Sequence, residues 1–273
     1  HPEQQVTSDR LFQIPPDAMH GRQSVEGDDM PVAALPLDAF RPQGMDRFYL
    51  LGGAADVSRA CAMRLSRPLE RIDLGARIGA AAAEEARDAG PLAGVRLPGN
   101  ADPAATIAGD VKELLTGVRP IQKLPTVPQE ARNLPVLGHY DVVVVGGGTG
   151  GAPAGIAAAR EGARVLVVEH LHMLGGVGTA GYIAVYHWGN REGFTATVPG
   201  DSRWQPEQRA EWWRRSLLDA GADIWFGVLG CGAVVDGNRV VGAVVATPEG
   251  RGVVLADVVI DSTGNADVAA AAG

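Results

Sequence analysis

Four β-branched residues, Val142 to Val145, run directly into Gly146-Gly-Gly148-Thr149-Gly150-Gly151, and no other stretch restricts the fold of this chain as tightly. An alanine-rich, helix-like segment follows, and then a second apolar strand, Val165-Leu-Val-Val, that ends in the carboxylate of Glu169. Each part has a task in a βαβ unit that holds a dinucleotide. Gly146 permits the tight turn, Gly148 lets the backbone approach a pyrophosphate, and Gly151 lets the helix pack against the strand. The phosphates then sit at the positive end of a helix beginning near Thr149 and Gly150. Glu169 is positioned to accept hydrogen bonds from a ribose diol, and its charge would repel a 2′-phosphate. The alternative is a buried strand and turn with no ligand. It leaves the acidic strand end without a reason.

Composition narrows the remaining classes. The chain has 273 residues, 46% of them apolar and 21% charged, enough for a substantial core in one large domain or two small ones. A formal net charge of −8 with no basic cluster excludes a nucleic-acid surface as the leading reading. Cys61 and Cys231 cannot make a disulfide framework, lack metal-ligand spacing and are expected as buried thiols. No metal site is expected. The uncharged run 142–159 is nominally long enough to span a bilayer. Its glycines and Pro153 fit a strand, turn and helix better, so no membrane span is expected. The chain begins at His1 rather than Met, which we read as the loss of a preceding segment. The compartment stays open between bacterial cytoplasm and, after processing, periplasm or secretion.

Four regions follow from the pattern along the chain. Residues 1–37 are polar, with Pro15-Pro16 and Glu26-Gly-Asp-Asp, and read as an extended arm. Residues 38–90 hold a short buried strand, Phe48 to Leu51, and helical segments over Val57–Leu65 and Leu74–Arg87. Residues 91–139 form a Pro-rich linker with one predicted helix, Ala104 to Leu115. Residues 140–273 carry the glycine turn, a helix from Pro206 to Ala220 and a run of strands. Ile224-Trp-Phe, Gly232-Ala-Val-Val, Val240 to Ala246 and Gly252-Val-Val-Leu alternate with turn signals and predict an antiparallel meander. Ala256 to Asp261 is expected as a separate last strand.

From Tyr140 onward the sequence resembles the FAD-dependent oxidoreductases of the glutathione-reductase-like type. Three blocks carry the resemblance: the fingerprint through Glu169, Leu174-Gly175-Gly176 shortly after it, and Val259-Ile-Asp-Ser-Thr263-Gly264-Asn-Ala-Asp267. It implies a Rossmann-like doubly wound α/β domain with the meander as an insertion, beside a helical N-terminal region. It also moves the expected cofactor from NAD to FAD. The cofactor-binding residues it implies are Gly146, Gly148, Thr149, Gly150, Gly151, Glu169, Gly175, Gly176, Thr179, Thr263, Gly264 and Asp267. Met30 to Gly52 resembles the same family's closing C-terminal segment, with Gly75 and Gly79 matching the small residues of the helix that follows it there. That order is reversed, since the closing segment precedes the opening one. The chain is therefore expected to be a fragment or subunit that packs near Tyr182 to Phe194, and past Gly273, against another polypeptide or the rest of its precursor.

The substrate is hidden, because the isoalloxazine carries the redox step and the protein supplies position and electrostatics. His187, between Tyr186 and Trp188, is the candidate catalytic residue; a local structural histidine is the alternative. Covalent flavin attachment at His170 or His172 is a further possibility weighed below a hydrogen-bonding role. Asp267 opens a helix, and either favours its dipole or contacts a flavin hydroxyl. The absence of Cys-x-x-Cys near the glycine loop argues against a disulfide reductase. The functional expectation is hydride abstraction from a small polar substrate, with electrons passed to oxygen or another acceptor. Its rivals are a flavin-binding subunit whose substrate domain lies on another chain, and an NAD-linked dehydrogenase.

Overall fold

The fold, taken from a computed structural model, is described for residue 14 and for residues 18–89, 107–114, 123–187 and 189–273. Its centre is β3 (Val136–Val145), whose Val142, Val143, Val144 and Val145 are each at most 1% exposed. β3 pairs in parallel with β4 (Val165–Glu169) on one side and with β8 (Gly250–Asp261) on the other. Successive side chains point to opposite faces. Val142 and Val144 therefore enter one core, while Val143 and Val145 enter a second. The second half of β3 is buried on both faces and needs a continuous apolar run, which Val142 to Val145 supply.

Two further strands extend the parallel part. β5 (Asp223–Phe226) pairs with β4, and β1 (Phe48–Leu50) pairs with the end of β8 in the register Leu50 to Asp261. On the far edge, β6 (Leu229–Asp236) and β7 (Arg239–Thr247) form an antiparallel hairpin, and β7 pairs with the first half of β8. β2 (Asp110–Glu113) closes that edge against β6. The eight strands make one sheet.

Five α-helices are described: α1 (Arg59–Leu65), α2 (Pro68–Asp88), α3 (Gly151–Arg160), α4 (Pro206–Asp219) and α5 (Asp267–Ala272). α2 buries Ile72, Gly75, Gly79, Ala82, Ala83 and Ala86, a stripe with helical spacing. The stripe lies on α3 at very short range. A Cβ added at Gly79 would stand 2.0 Å from the Ala154 carbonyl oxygen, and one at Gly75 2.2 Å from that of Gly150. Only glycine allows the two backbones this close. The second face of β3 and β4 is covered by the inward residues of β6 and β7 and by Val268 of α5.

The α/β class, the doubly wound core and the meander agree with the expectations; several details differ. No helix occupies the described part of Ala104–Leu115. Asp110 to Glu113 is β2 instead, because pairing with β6 satisfies its backbone along an edge that would otherwise be open. Residues 104–106 and Leu115 lie outside the described residues. Ile224-Trp-Phe does not belong to the meander. It is parallel to β4, reached through the crossover helix α4, and four residues alone do not reveal a strand's direction. Gly252–Leu255 and Ala256–Asp261 are one strand rather than two, with β7 beside its start and β1 beside its end. The arm is docked from residue 18 onward, with Val25 and Leu35 buried and Arg77 donating to the Leu35 carbonyl at 2.8 Å. Cys61 is buried but Cys231 only half-buried, and both are free. The run 142–159 is divided between β3, the glycine turn and α3. Among the described residues no helix is long and apolar enough to cross a membrane.

Candidate nucleotide site

All parallel strands point their carboxyl ends to one edge, and between β3 and β8 the chain's direction of winding reverses. Open α/β sheets bind ligands at such a point. A crevice of about 350 Å³ lies there, lined among others by Gly146, Gly148, Thr149, Gly150, Glu169 and Gly176. Thr263, Gly264, Asn265 and Asp267 form the wall from β8, and Arg71 of α2 reaches in from the preceding segment.

The turn is shaped by what its glycines touch. Gly146 has φ +96, and a Cβ there would stand 2.4 Å from the Ser262 carbonyl oxygen. At Gly151 a Cβ would lie 1.8 Å from the Gly146 oxygen, so the start of α3 rests on the turn itself. Gly148 differs. A Cβ there would meet only the Gly176 Cα, at 3.9 Å, because Gly148 faces the crevice. No side chain caps α3 at Gly150; in its first turn Ala152 N donates to the Gly148 carbonyl and Pro153 carries no N–H, which leaves the amides of Gly150 and Gly151 beside that open space. A helix start with uncapped N–H groups is an anion site in waiting.

Glu169 is 5% exposed. Gly147 N donates to its Oε2 at 2.9 Å and Leu171 N to its Oε1 at 2.8 Å. The His170 ring, itself largely exposed, has Nδ1 3.0 Å from Oε1. The carboxylate thus holds the turn and the following loop in register, and each oxygen keeps a lone pair for a hydroxyl in the crevice. On the opposite wall Asp261 is 1% exposed and takes three hydrogen bonds. Thr263 N donates to Oδ1 at 3.0 Å, the Thr263 hydroxyl to the same oxygen at 2.8 Å, and Ala269 N to Oδ2 at 2.8 Å. Burial pushes the Asp261 carboxyl above its ordinary value, while those hydrogen bonds pull the other way. Asp267 N donates in turn to the Thr263 hydroxyl at 2.9 Å, which fixes the start of α5 and leaves the Asp267 carboxylate exposed beside Gly264.

The expected residues separate into two groups. Gly146, Gly148, Thr149, Gly150, Glu169, Gly176, Thr263, Gly264 and Asp267 meet at the crevice, and Gly151 supports it from below. Gly175 and Thr179 do not reach it. Gly175 packs on the Trp213 ring, and Thr179 is fully buried with its hydroxyl donating to the Leu174 carbonyl. Their glycine-dense loop is shaped by a tryptophan from α4 that no local spacing announces. His187 is exposed and lies outside the crevice lining. Two contributors were missed. Asp261 carried a signal, an acid ending an apolar strand just before Ser-Thr-Gly. Arg71 carried a subtler one, since it stands four residues before Gly75 and shares the face of α2 that meets α3.

A second concavity, about 990 Å³ and wide open, lies between the segment 184–185 and α4, with Arg203, Trp204, Arg209 and Trp212 in its lining. Arg209 is its keystone. The guanidinium lies 3.5 Å from the Trp204 ring centroid, donates to the Tyr186 hydroxyl at 2.9 Å and to the Pro199 carbonyl at 2.7 Å.

With this geometry in view, residues 141–273 match the family model for FAD dependent oxidoreductases. Solved structures similar to this chain include the THI4 protein of Thermovibrio ammonificans, at 27% identity and a TM-score of 0.39, over 49% of this chain and 61% of that one. A geranylgeranyl bacteriochlorophyll reductase-like protein of Thermoplasma acidophilum is similar at 22% identity and a TM-score of 0.36, over 45% of this chain and 39% of that one. A thioredoxin reductase of Gloeobacter violaceus is similar at 20% identity and a TM-score of 0.32, over 45% and 36% respectively. This chain therefore spans less than two thirds of the length of each. No curated protein matches it.

Proposed function

We propose, from the match of residues 141–273 to the family model for FAD dependent oxidoreductases, that this chain binds FAD in the crevice and serves the oxidation of a small polar substrate. The observation that carries the reading is the open space at Gly148 above an uncapped helix start, with a buried carboxylate one strand away. Gly148, Thr149 and Gly150 hold the pyrophosphate by backbone N–H groups. Glu169 accepts from the adenosine ribose, and its two existing bonds keep it from swinging out of place. Gly176, Thr263, Gly264 and Asp267 flank the ribityl chain. When bound, FAD supplies a redox centre that takes a hydride from the substrate and passes the electrons to oxygen or another acceptor. β1 and α2, from residues 38–90, act as the closing segment of the site although they precede the fingerprint in the chain.

A second reading assigns the substrate domain to another polypeptide, with this chain as the flavin-binding subunit of a heteromer. Its support is a set of exposed apolar side chains: Val177 at 43% and Leu229 at 51% in the crevice lining, and Tyr182 at 64% and Ile183 at 45% in the loop that follows Val177. Visible absorption of the purified protein tests both. A flavin band that bleaches with a polar substrate under argon supports the first reading. A band that bleaches only after another polypeptide is added supports the second. A colourless protein that takes up no FAD contradicts both.

A further inference from the structure

α2 and α3 run side by side in the same direction, and their contacts step together. Gly79 rests on Ala154 and, one turn earlier, Gly75 rests on Gly150. One turn earlier again on the same face of α2 stands Arg71. α3 has already ended at that level, so Arg71 extends over the glycine turn instead of over a helix. A Cβ added at Gly150 would come within 3.0 Å of the Arg71 Cγ, which shows how closely the side chain passes the start of α3.

Among the described residues the guanidinium has no hydrogen-bond partner and no ion pair. The other arginines of this region are engaged: Arg41 pairs with Glu85, Arg64 donates to the Met30 carbonyl, and Arg77 donates to the carbonyls of Val32 and Leu35. Neither acid of the crevice lining pairs with it: Glu169 is held by Gly147 N and Leu171 N, and Asp267 forms no ion pair among the described residues. Arg71 and the positive end of a helix therefore face one small space, and no carboxylate of its lining is paired with Arg71. Burial lowers the pKa of Arg71 from its ordinary value, although the side chain is half-buried and still open to the crevice.

We propose that Arg71 is a phosphate-binding residue of this site, its planar guanidinium holding a nucleotide pyrophosphate from the side opposite the amides of α3. The inference deepens the FAD reading and rests on it. It makes α2 part of the cofactor site through a charge, in addition to its packing on α3. Arginine suits the task because its fork presents parallel donors to two phosphate oxygens.

The test titrates FAD and ADP into wild type, Arg71→Met and Arg71→Lys, and measures the flavin-free melting temperature of each. The expected result is that Arg71→Met weakens both ligands about 10- to 100-fold, the range of a charge-assisted hydrogen bond pair. Arg71→Lys should lose less. The salt dependence of ADP binding should flatten in Arg71→Met, and its flavin-free melting temperature should equal or exceed that of wild type, because an unpaired, half-buried cation has been removed. Wild-type binding with undiminished affinity in Arg71→Met overturns the role of Arg71 and leaves the FAD reading standing. A melting temperature that falls together with affinity, and is not restored in Arg71→Lys, overturns it in favour of a packing role. Wild-type protein that binds neither FAD nor ADP overturns both.

Discussion

The glycine crevice and the arginine–tryptophan groove are both concave, yet they are built by opposite means. The crevice is made by backbone: Gly146 against Ser262, Gly151 against Gly146, and Gly75 and Gly79 against α3, each at distances no Cβ would permit. The groove is made by long side chains, with Arg209 clamped among Trp204, Tyr186 and the Pro199 carbonyl. Backbone contacts leave no room for adjustment, so they fix residue identity at fixed spacing. Side-chain contacts tolerate many alternatives. The crevice is therefore held to one shape, while the groove is a surface whose form depends on rotamers.

The difference can be broken first where the crevice is most rigid. Gly79→Val would push its side chain into the Ala154 backbone, 2.0 Å from the first added atom. A loss of about 3 kcal/mol in denaturant unfolding is expected, at the upper end of overpacking costs. Wild-type stability would show that α2 and α3 can slide apart, and that the crevice is not set by backbone contact. Gly148→Val should behave in the opposite way. The added atoms enter open space, so stability stays within about 1 kcal/mol of wild type, while FAD affinity falls roughly 100-fold because the pyrophosphate has lost its place. Equal FAD binding in this variant would remove the phosphate assignment.

Asp261→Asn probes the wall from β8. An amide presents N–H where Thr263 N or Ala269 N now donates, which should cost about 2 kcal/mol. The pH dependence has a definite sign. Burial holds the folded pKa above the unfolded one, so this group's contribution is complete below the ordinary carboxylate range and is lost as pH rises through the raised value. The Asn variant should lack that segment of the stability–pH curve. Persistence of the same slope would assign it to another group. Glu169→Gln should weaken FAD roughly tenfold, as expected for one charge-assisted hydrogen bond. A small loss of flavin-free stability should accompany it, since one of the two N–H donors loses its acceptor. In the groove, Trp204→Leu should remove the ring over Arg209 and cost about 1 kcal/mol with no change in FAD affinity. An effect on FAD there would mean that the two concavities communicate.

The same contrast explains what could be read from the amino acids alone. The turn, Glu169, the strand ending in Asp261-Ser-Thr263-Gly264 and the spacing of Gly75 and Gly79 were legible, because each obeys a local backbone rule. The direction of β5, the pairing of β2 with β6 and the burial of Thr179 behind Trp213 were not. They depend on partners far along the chain, and nothing in four extended residues or one threonine specifies which partner arrives. Arg71 lies between these cases. Its register with Gly75 was available, but its meaning appeared only when α3 was seen to stop one turn short of it.

The most direct test of the central claim is a titration of flavin-free protein with FAD, followed by the quenching of flavin fluorescence and competed with ADP. The account predicts saturation at one FAD per chain, displacement by ADP through the shared pyrophosphate subsite, and loss of both in Gly148→Val at unchanged stability. FAD that fails to saturate, or that binds equally in wild type and Gly148→Val and is not displaced by ADP, would contradict it.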